Sequence, residues 1–219
     1  FPTRRSSDLA GCATPGAAHG GRAAPGDNEH EEAEVTPGED LMQEHGVLER
    51  ILLIYDEAAR RIERNEQFDL AVLTSAAGVV RRFIEDYHEK LEEDFVFPRL
   101  QTARREVDLI AILLRQHERG RQVTDDIVRR AGTGASPELA QALRNFSRMY
   151  RPHAAREETV LFPAFRDVVD RAEYRELGAQ FERKEHELLG EHGFRNTVDE
   201  VARLEAALGI DDLAKFTAP

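Results

Sequence analysis

Two stretches of the chain carry the same reactive residues at the same offsets. One reads His88-Glu89-Lys90-Leu91-Glu92-Glu93-Asp94-Phe95-Val96-Phe97-Pro98, the other His153-Ala154-Ala155-Arg156-Glu157-Glu158-Thr159-Val160-Leu161-Phe162-Pro163. In each, Glu-Glu begins four places after the His and Phe-Pro closes the pattern. On a helix, residues i and i+4 share a face about one turn (~6 Å) apart. His88 with Glu92, and His153 with Glu157, therefore present an imidazole and a carboxylate in one direction, as a helix offers ligands to a metal pair.

A second repeat supplies two more imidazoles. Leu41-Met42-Gln43-Glu44-His45 matches Leu113-Leu114-Arg115-Gln116-His117. Each half of the chain is thus a helix with one inward His followed by a helix with His-x-x-x-Glu-Glu. Two such halves related by an approximate two-fold axis would bring His45, His88, His117, His153, Glu92 and Glu157 to one level of a core. Nitrogen and oxygen donors without thiolate suit iron, manganese or zinc, and in a paired arrangement a di-iron centre. By symmetry each ion takes two terminal imidazoles, and Glu92 and Glu157 bridge. Room is left for an oxo or hydroxo bridge and one exogenous molecule.

Ordinary explanations compete at each position. A single His on an apolar stripe is usually a hydrogen-bonded core residue, but four at matched places favour ligands. Glu92 and Glu157 on an inner face, ionised and unpaired, would each cost several kcal/mol, so their burial demands a cation. Glu93 and Glu158 are rotated about 100° away and are expected to be solvated or to support the ligands. Glu89 is expected at the surface, with a role as an alternative donor as the other reading. His192, flanked by glycines, reads as an exposed loop residue, and His186 as surface, with a lid or ligand at the bundle end as the alternative. Tyr55, Tyr87 and Tyr150 read as core aromatics, Tyr150 being placed to hydrogen-bond to the site.

The elements that must position these residues follow from periodicity and caps. Thr36-Pro37-Gly38-Glu39 is a capping box, and helix 1 is predicted to continue to near Asn65. Helix 2 is predicted over about 68–99, with an inner stripe of Leu73, Val80, Ile84, His88, Leu91 and Phe95. Helix 3 is predicted over about 106–130, with Leu109, Ile110, Leu113, His117 and Ile127 inward. Ser136-Pro137 starts helix 4, which is predicted to reach about residue 165 through Leu139, Leu143, Phe146, Tyr150, His153 and Val160. Pro98 and Pro163 are expected to end or kink their helices beyond the ligands, and Pro152 to bend helix 4. Two further helices are predicted, over about 172–189 and 196–208. The fold class is all-α: an up-down four-helix bundle with an internal two-fold pseudo-repeat and a C-terminal helical extension. The boundaries read as a tail and linker over 1–35, the bundle over 36–168 and the extension over 169–219.

Composition limits the function. Lys and Arg number 30 against 42 Asp and Glu, a net charge of −12, which weighs against a nucleic-acid partner. One cysteine, Cys12, rules out an intrachain disulfide and a cysteine-held cluster. No stretch reaches the roughly 18–20 apolar residues of a membrane helix. Within the Gly-, Ala- and Pro-rich tail, Leu9-Ala10-Gly11-Cys12 resembles the lipobox of bacterial lipoproteins, in which the cysteine is lipidated. The preceding Phe1-Pro2-Thr3-Arg4-Arg5-Ser6-Ser7-Asp8-Leu9 resembles translated sequencing-adapter sequence, so the expectation is a signal peptide lost from the gene. The implied location is the periplasmic side of the cell envelope, attached through Cys12, or the cytoplasm if the match is chance.

Over about residues 40–165 the paired His-x-x-x-Glu-Glu…Phe-Pro resembles the hemerythrin-like family, with its HHE cation-binding domain. The resemblance implies a four-helix bundle with a non-haem di-iron centre, with His45, His88, Glu92, His117, His153 and Glu157 as ligands by motif match. Oxygen-carrying members have a second His four positions from the one on the third helix, where this chain has Leu113 and Arg121. They also place the fourth-helix carboxylate one residue later, at Glu158 here. The departures imply a more open site and weigh against simple reversible O2 carriage. The function expected is therefore a di-iron protein meeting O2, peroxide or nitric oxide in sensing, detoxification or storage, with peroxide or nitric oxide turnover as the enzymatic form. The alternative is an iron-buffering module without turnover. A ferritin-like carboxylate bundle would need Glu-x-x-His rather than His-x-x-x-Glu, and a metal-free scaffold would leave the repeat unexplained.

Overall fold

The computed structural model describes residues 35–218, all helix and turn with no strand among them. The lipobox, and nearly all of the tail read over 1–35, lie outside the described residues.

Helix α1 is Pro37–Glu63, and its start is the capping box read above. Thr36 Oγ1 accepts from the Glu39 amide at 3.4 Å, and Glu39 Oε2 accepts from the Thr36 amide at 3.0 Å. Asn65, at φ 54°, turns the chain out of it. Helix α2 occupies residues 71–102 and is not uniform. It runs as α over Ala71–Val79, as π over Val80–His88, through a short α turn Glu89–Leu91, again as π over Glu92–Val96, and as α over Phe97–Thr102. Helix α3 is Val107–Ala131. Helix α4 occupies residues 137–168, as α over Pro137–Arg156, π over Glu157–Leu161 and α over Phe162–Val168. Ser136 caps it, its Oγ accepting from the Leu139 amide at 3.2 Å. Pro152 lies in the first segment without ending it.

The π-turns explain two departures from simple periodicity. A π-turn adds a residue to the circuit and so rotates everything after it. Phe95 and Val160, at equivalent places in the two repeats, are only half-buried, while Val96 and Phe97, and Leu161 and Phe162, are buried in their stead. Pro98 and Pro163 do not end their helices either. Each falls in the opening turn of the α segment that resumes after the π-turn, where a missing N–H is tolerated as at any helix start.

Short turns link α1 to α2, α2 to α3 and α3 to α4, sequence neighbours pack side by side, and α1 closes the bundle against α4. The core is one apolar cluster that includes Leu48, Ile51, Leu52, Leu73, Phe83, Ile84, Ile127, Leu143 and Phe146. Helices α5 (Arg171–Leu189) and α6 (Gly193–Leu208) pack on this bundle, chiefly against α1 and α2. The Tyr174 hydroxyl accepts from the Gly38 amide at 3.1 Å, and Phe181 packs on Phe95 at 5.6 Å. Arg50 pairs with Glu205 at 2.6 Å, and the Arg61 guanidinium donates to the Leu208 carbonyl at 2.6 Å. Helix α6 starts three residues earlier than its periodicity suggests. Glu185 on α5 caps it from outside, Oε1 accepting from the Phe194 amide at 2.6 Å.

Candidate metal centre

The bundle brings the six residues singled out in the sequence to one depth, all of them buried. Donor atoms of His45, His88 and Glu92 lie within 4.8 Å of one another, and so do those of His117, His153 and Glu157. The two triads meet. His45 Nε2 lies 3.4 Å from Glu157 Oε2, and His117 Nε2 lies 3.4 Å from Glu92 Oε2. Along the helices, His153 Nε2 is 3.2 Å from Glu157 Oε1 and His88 Nε2 is 3.8 Å from Glu92 Oε1. Each carboxylate thus faces imidazoles of both triads. His45 and His88 hold their Nε2 atoms 3.1 Å apart.

The outward nitrogens are equally ordered. His45 Nδ1 lies 3.1 Å from Glu158 Oε1, and His117 Nδ1 lies 3.1 Å from Glu93 Oε1. His88 Nδ1 lies 2.6 Å from Glu44 Oε2, and His153 Nδ1 lies 2.9 Å from Gln116 Oε1. Every one of the four rings has an oxygen beside Nδ1 that can accept a proton held there, the tautomer that frees Nε2 for a cation. The two-fold relation holds at this layer: the carboxylate following each bridging-position glutamate supports the His of the opposite half. It extends to the Phe-Pro motif, where Phe97 stacks on His117 at 5.7 Å and Phe162 on His45 at 5.5 Å. Helical rotation had suggested a supporting or solvated role for Glu93 and Glu158, and they sit at the supporting place.

Electrostatics show what the centre lacks. Both oxygens of Glu92, both of Glu157 and His117 Nε2 are buried without a hydrogen-bond partner. Burial, then the neighbouring Glu157, pushes the Glu92 carboxyl up. Burial works against a charge on His45, but the carboxylates of Glu157 and Glu158 beside it outweigh this and push its pKa to about 10. His117 behaves the same way through Glu92 and Glu93, also reaching about 10. Burial, then the charges on the other imidazoles, holds His88 well below the usual histidine value and His153 down at about 3. Orphaned carboxylate oxygens facing four inward Nε2 atoms are what a pair of divalent cations would satisfy, and the donor chemistry fits iron, manganese or zinc. The clusters are able to hold metal.

Three neighbours escaped the sequence reading or were misjudged by it. Glu44 and Gln116 each precede a ligand-position His, and their matched place in the repeat was the available signal. Glu89, expected at the surface, is 1% exposed. The π-turns around it alter the facing of this stretch, and it is accommodated inside by two donors: the Tyr150 hydroxyl at 2.7 Å and Arg121 at 2.7 Å. Tyr150 stands edge-on to the His153 ring at 5.2 Å, and its bond runs to Glu89 rather than to the site. Glu89, Glu93 and His117 form a further donor cluster, but Arg121 already pairs with both carboxylates. His186 and His192 are exposed on and beside the C-terminal pair.

Comparison with known proteins agrees with this chemistry. Residues 36–165, and again 108–217, match the family described as the hemerythrin HHE cation binding domain. An uncharacterised protein of Mycobacterium bovis is 45% identical over 203 residues, covering 90% of this chain and 80% of its own length. Uncharacterised proteins from two strains of Mycobacterium tuberculosis match to the same extent. No solved structure matches the chain.

Proposed function

Because the chain belongs to the hemerythrin HHE cation-binding family, we propose that its centre holds two non-haem irons and meets O2, peroxide or nitric oxide. The observation that carries the proposal is the set of unpartnered oxygens on Glu92 and Glu157, faced by four Nε2 atoms. His45 and His88 would hold one ion, His117 and His153 the other, with Glu92 and Glu157 reaching both. When bound, the pair supplies two redox-active cations with coordination places open to a small molecule.

The chain's own residues prepare the site. Carboxylate and amide oxygens behind the imidazoles fix ring orientation. Phe97 and Phe162 cover the His117 and His45 rings and keep water from them. Tyr150 holds its proton toward Glu89 Oε1 and is the phenol beside the site for a turnover reading.

Stopped-flow mixing of the reduced, iron-loaded protein with O2, peroxide and nitric oxide in turn tests the reactive reading. A spectral change with at least one of them is expected. A reduced form inert to all three leaves iron buffering without turnover as the function. For location, the proposal is the cell envelope through a lipidated Cys12. The mass of the full-length gene product expressed in a bacterium decides it, since an unmodified cysteine ends that idea.

A further inference from the structure

The two-fold relation fails at the matched pair Glu44 and Gln116. Glu44 and Gln116 each precede a ligand-position His and each meet Nδ1 of the His on the next helix, but one is a carboxylate and the other an amide. The carboxylate bond is also the shorter, at 2.6 Å against 2.9 Å. An ion on Nε2 requires the proton on Nδ1, so both oxygens then accept. A carboxylate acceptor draws that proton more strongly and makes the ring a better donor. Glu44 is also buried, 2% exposed, so water does not compete for its bond to His88.

A second asymmetry acts in the same sense. The matched pair Glu158 and Glu93 support His45 and His117 at equal distances. Yet the Glu93 oxygen that meets His117 also accepts from Arg121 at 2.8 Å, and Lys90 pairs with the other Glu93 oxygen. Among the described residues Glu158 has no Arg or Lys at ion-pair distance. The position matching Arg121 in the first half is Glu49. The extra carboxylate on the second side, Glu89, is paired with Arg121. The second half-site therefore has an amide where the first has a carboxylate, and cations drawing on its remaining support.

We infer that the two metal positions are unequal: the one at His45, His88 and Glu92 binds a divalent cation more tightly and fills first, with Glu44 as the positioning residue that sets the order. The inference rests on the proposed metal centre and adds a sequence of loading to it. It would give the chain a one-ion state with that ion at a defined position, where equal halves would share it between them.

Calorimetric titration of the metal-free full chain with Co(II) tests it. Two steps are expected, separated by about tenfold or more in affinity, the scale on which outer partners act on metal ligands. Anomalous diffraction from crystals given one equivalent should place the ion between His45 and His88. Glu44→Gln should weaken the first step and bring the two together. Gln116→Glu, the converse change, should tighten the second step, and it keeps the test open if Glu44→Gln does not fold. Two equal steps in the wild-type chain, or a gap unchanged in both variants, would overturn the inference while leaving the centre standing. No uptake of cobalt at all would remove the centre itself and the inference with it.

Discussion

At the scale of single residues, the site is a set of buried charges held in balance, and pH reads that balance. His45 and His117 have folded pKa values raised from 6.5 to about 10 by the glutamates they face. A raised imidazole stabilises the fold fully below about pH 6.5, and this contribution is lost as pH climbs toward 10. The thermal midpoint of the chelator-treated chain should therefore fall steadily across that interval. A midpoint that is flat or rising there would mean these imidazoles do not carry the protons. Ion uptake near neutral pH should release protons for the same reason. Tyr150 offers a steric test. A Cβ added at Gly120 would lie 1.9 Å from its hydroxyl oxygen, so the glycine leaves the space in which the phenol reaches Glu89. Gly120→Ala gains roughly 1 kcal/mol of helix propensity but should still destabilise by about 1–3 kcal/mol through overpacking. Adding Tyr150→Phe should recover part of that loss in chemical denaturation. A stable Gly120→Ala chain would contradict the packing described.

At the scale of the helix, the π-turns are the feature that sequence periodicity could not supply. Caps at Thr36 and Ser136, the His-x-x-x-Glu spacing and most of the inner stripes were legible because each is local. Where a helix gains a residue in one turn is decided by what the widened turn buries, and the pattern carries no mark of it. Hence Phe95 and Val160, expected inward, are only half-buried, and Glu89, expected outward, is buried. The supporting layer was only half legible, since Glu93 and Glu158 followed from rotation while Glu44 and Gln116 depended on helices meeting. The register has a direct consequence. Val160→Thr should cost under about 1 kcal/mol, whereas Leu161→Ala should cost about 2–5 kcal/mol as a buried truncation. Urea denaturation of the pair distinguishes the π register from an uninterrupted α-helix, which would reverse the order.

At the scale of the whole molecule, the helical repeats place one ligand set in each half and let the halves complete each other. Glu92 faces His117 across the bundle and Glu157 faces His45, so neither half is a finished site alone. The pseudo-symmetry was readable from repeated motifs, and the family match agrees with it. The placement of α5 and α6 along α1 and α2 depended on contacts distant in sequence, such as Arg50 with Glu205 and Phe95 with Phe181. The central claim is that Glu92 and Glu157 exist to hold cations, and iron content tests it most directly. The wild-type chain, loaded anaerobically and freed of excess metal, should retain about two irons per chain. The folded Glu92→Gln/Glu157→Gln chain should retain almost none. Iron absent from the wild type, or equally present in the double variant, would contradict the account.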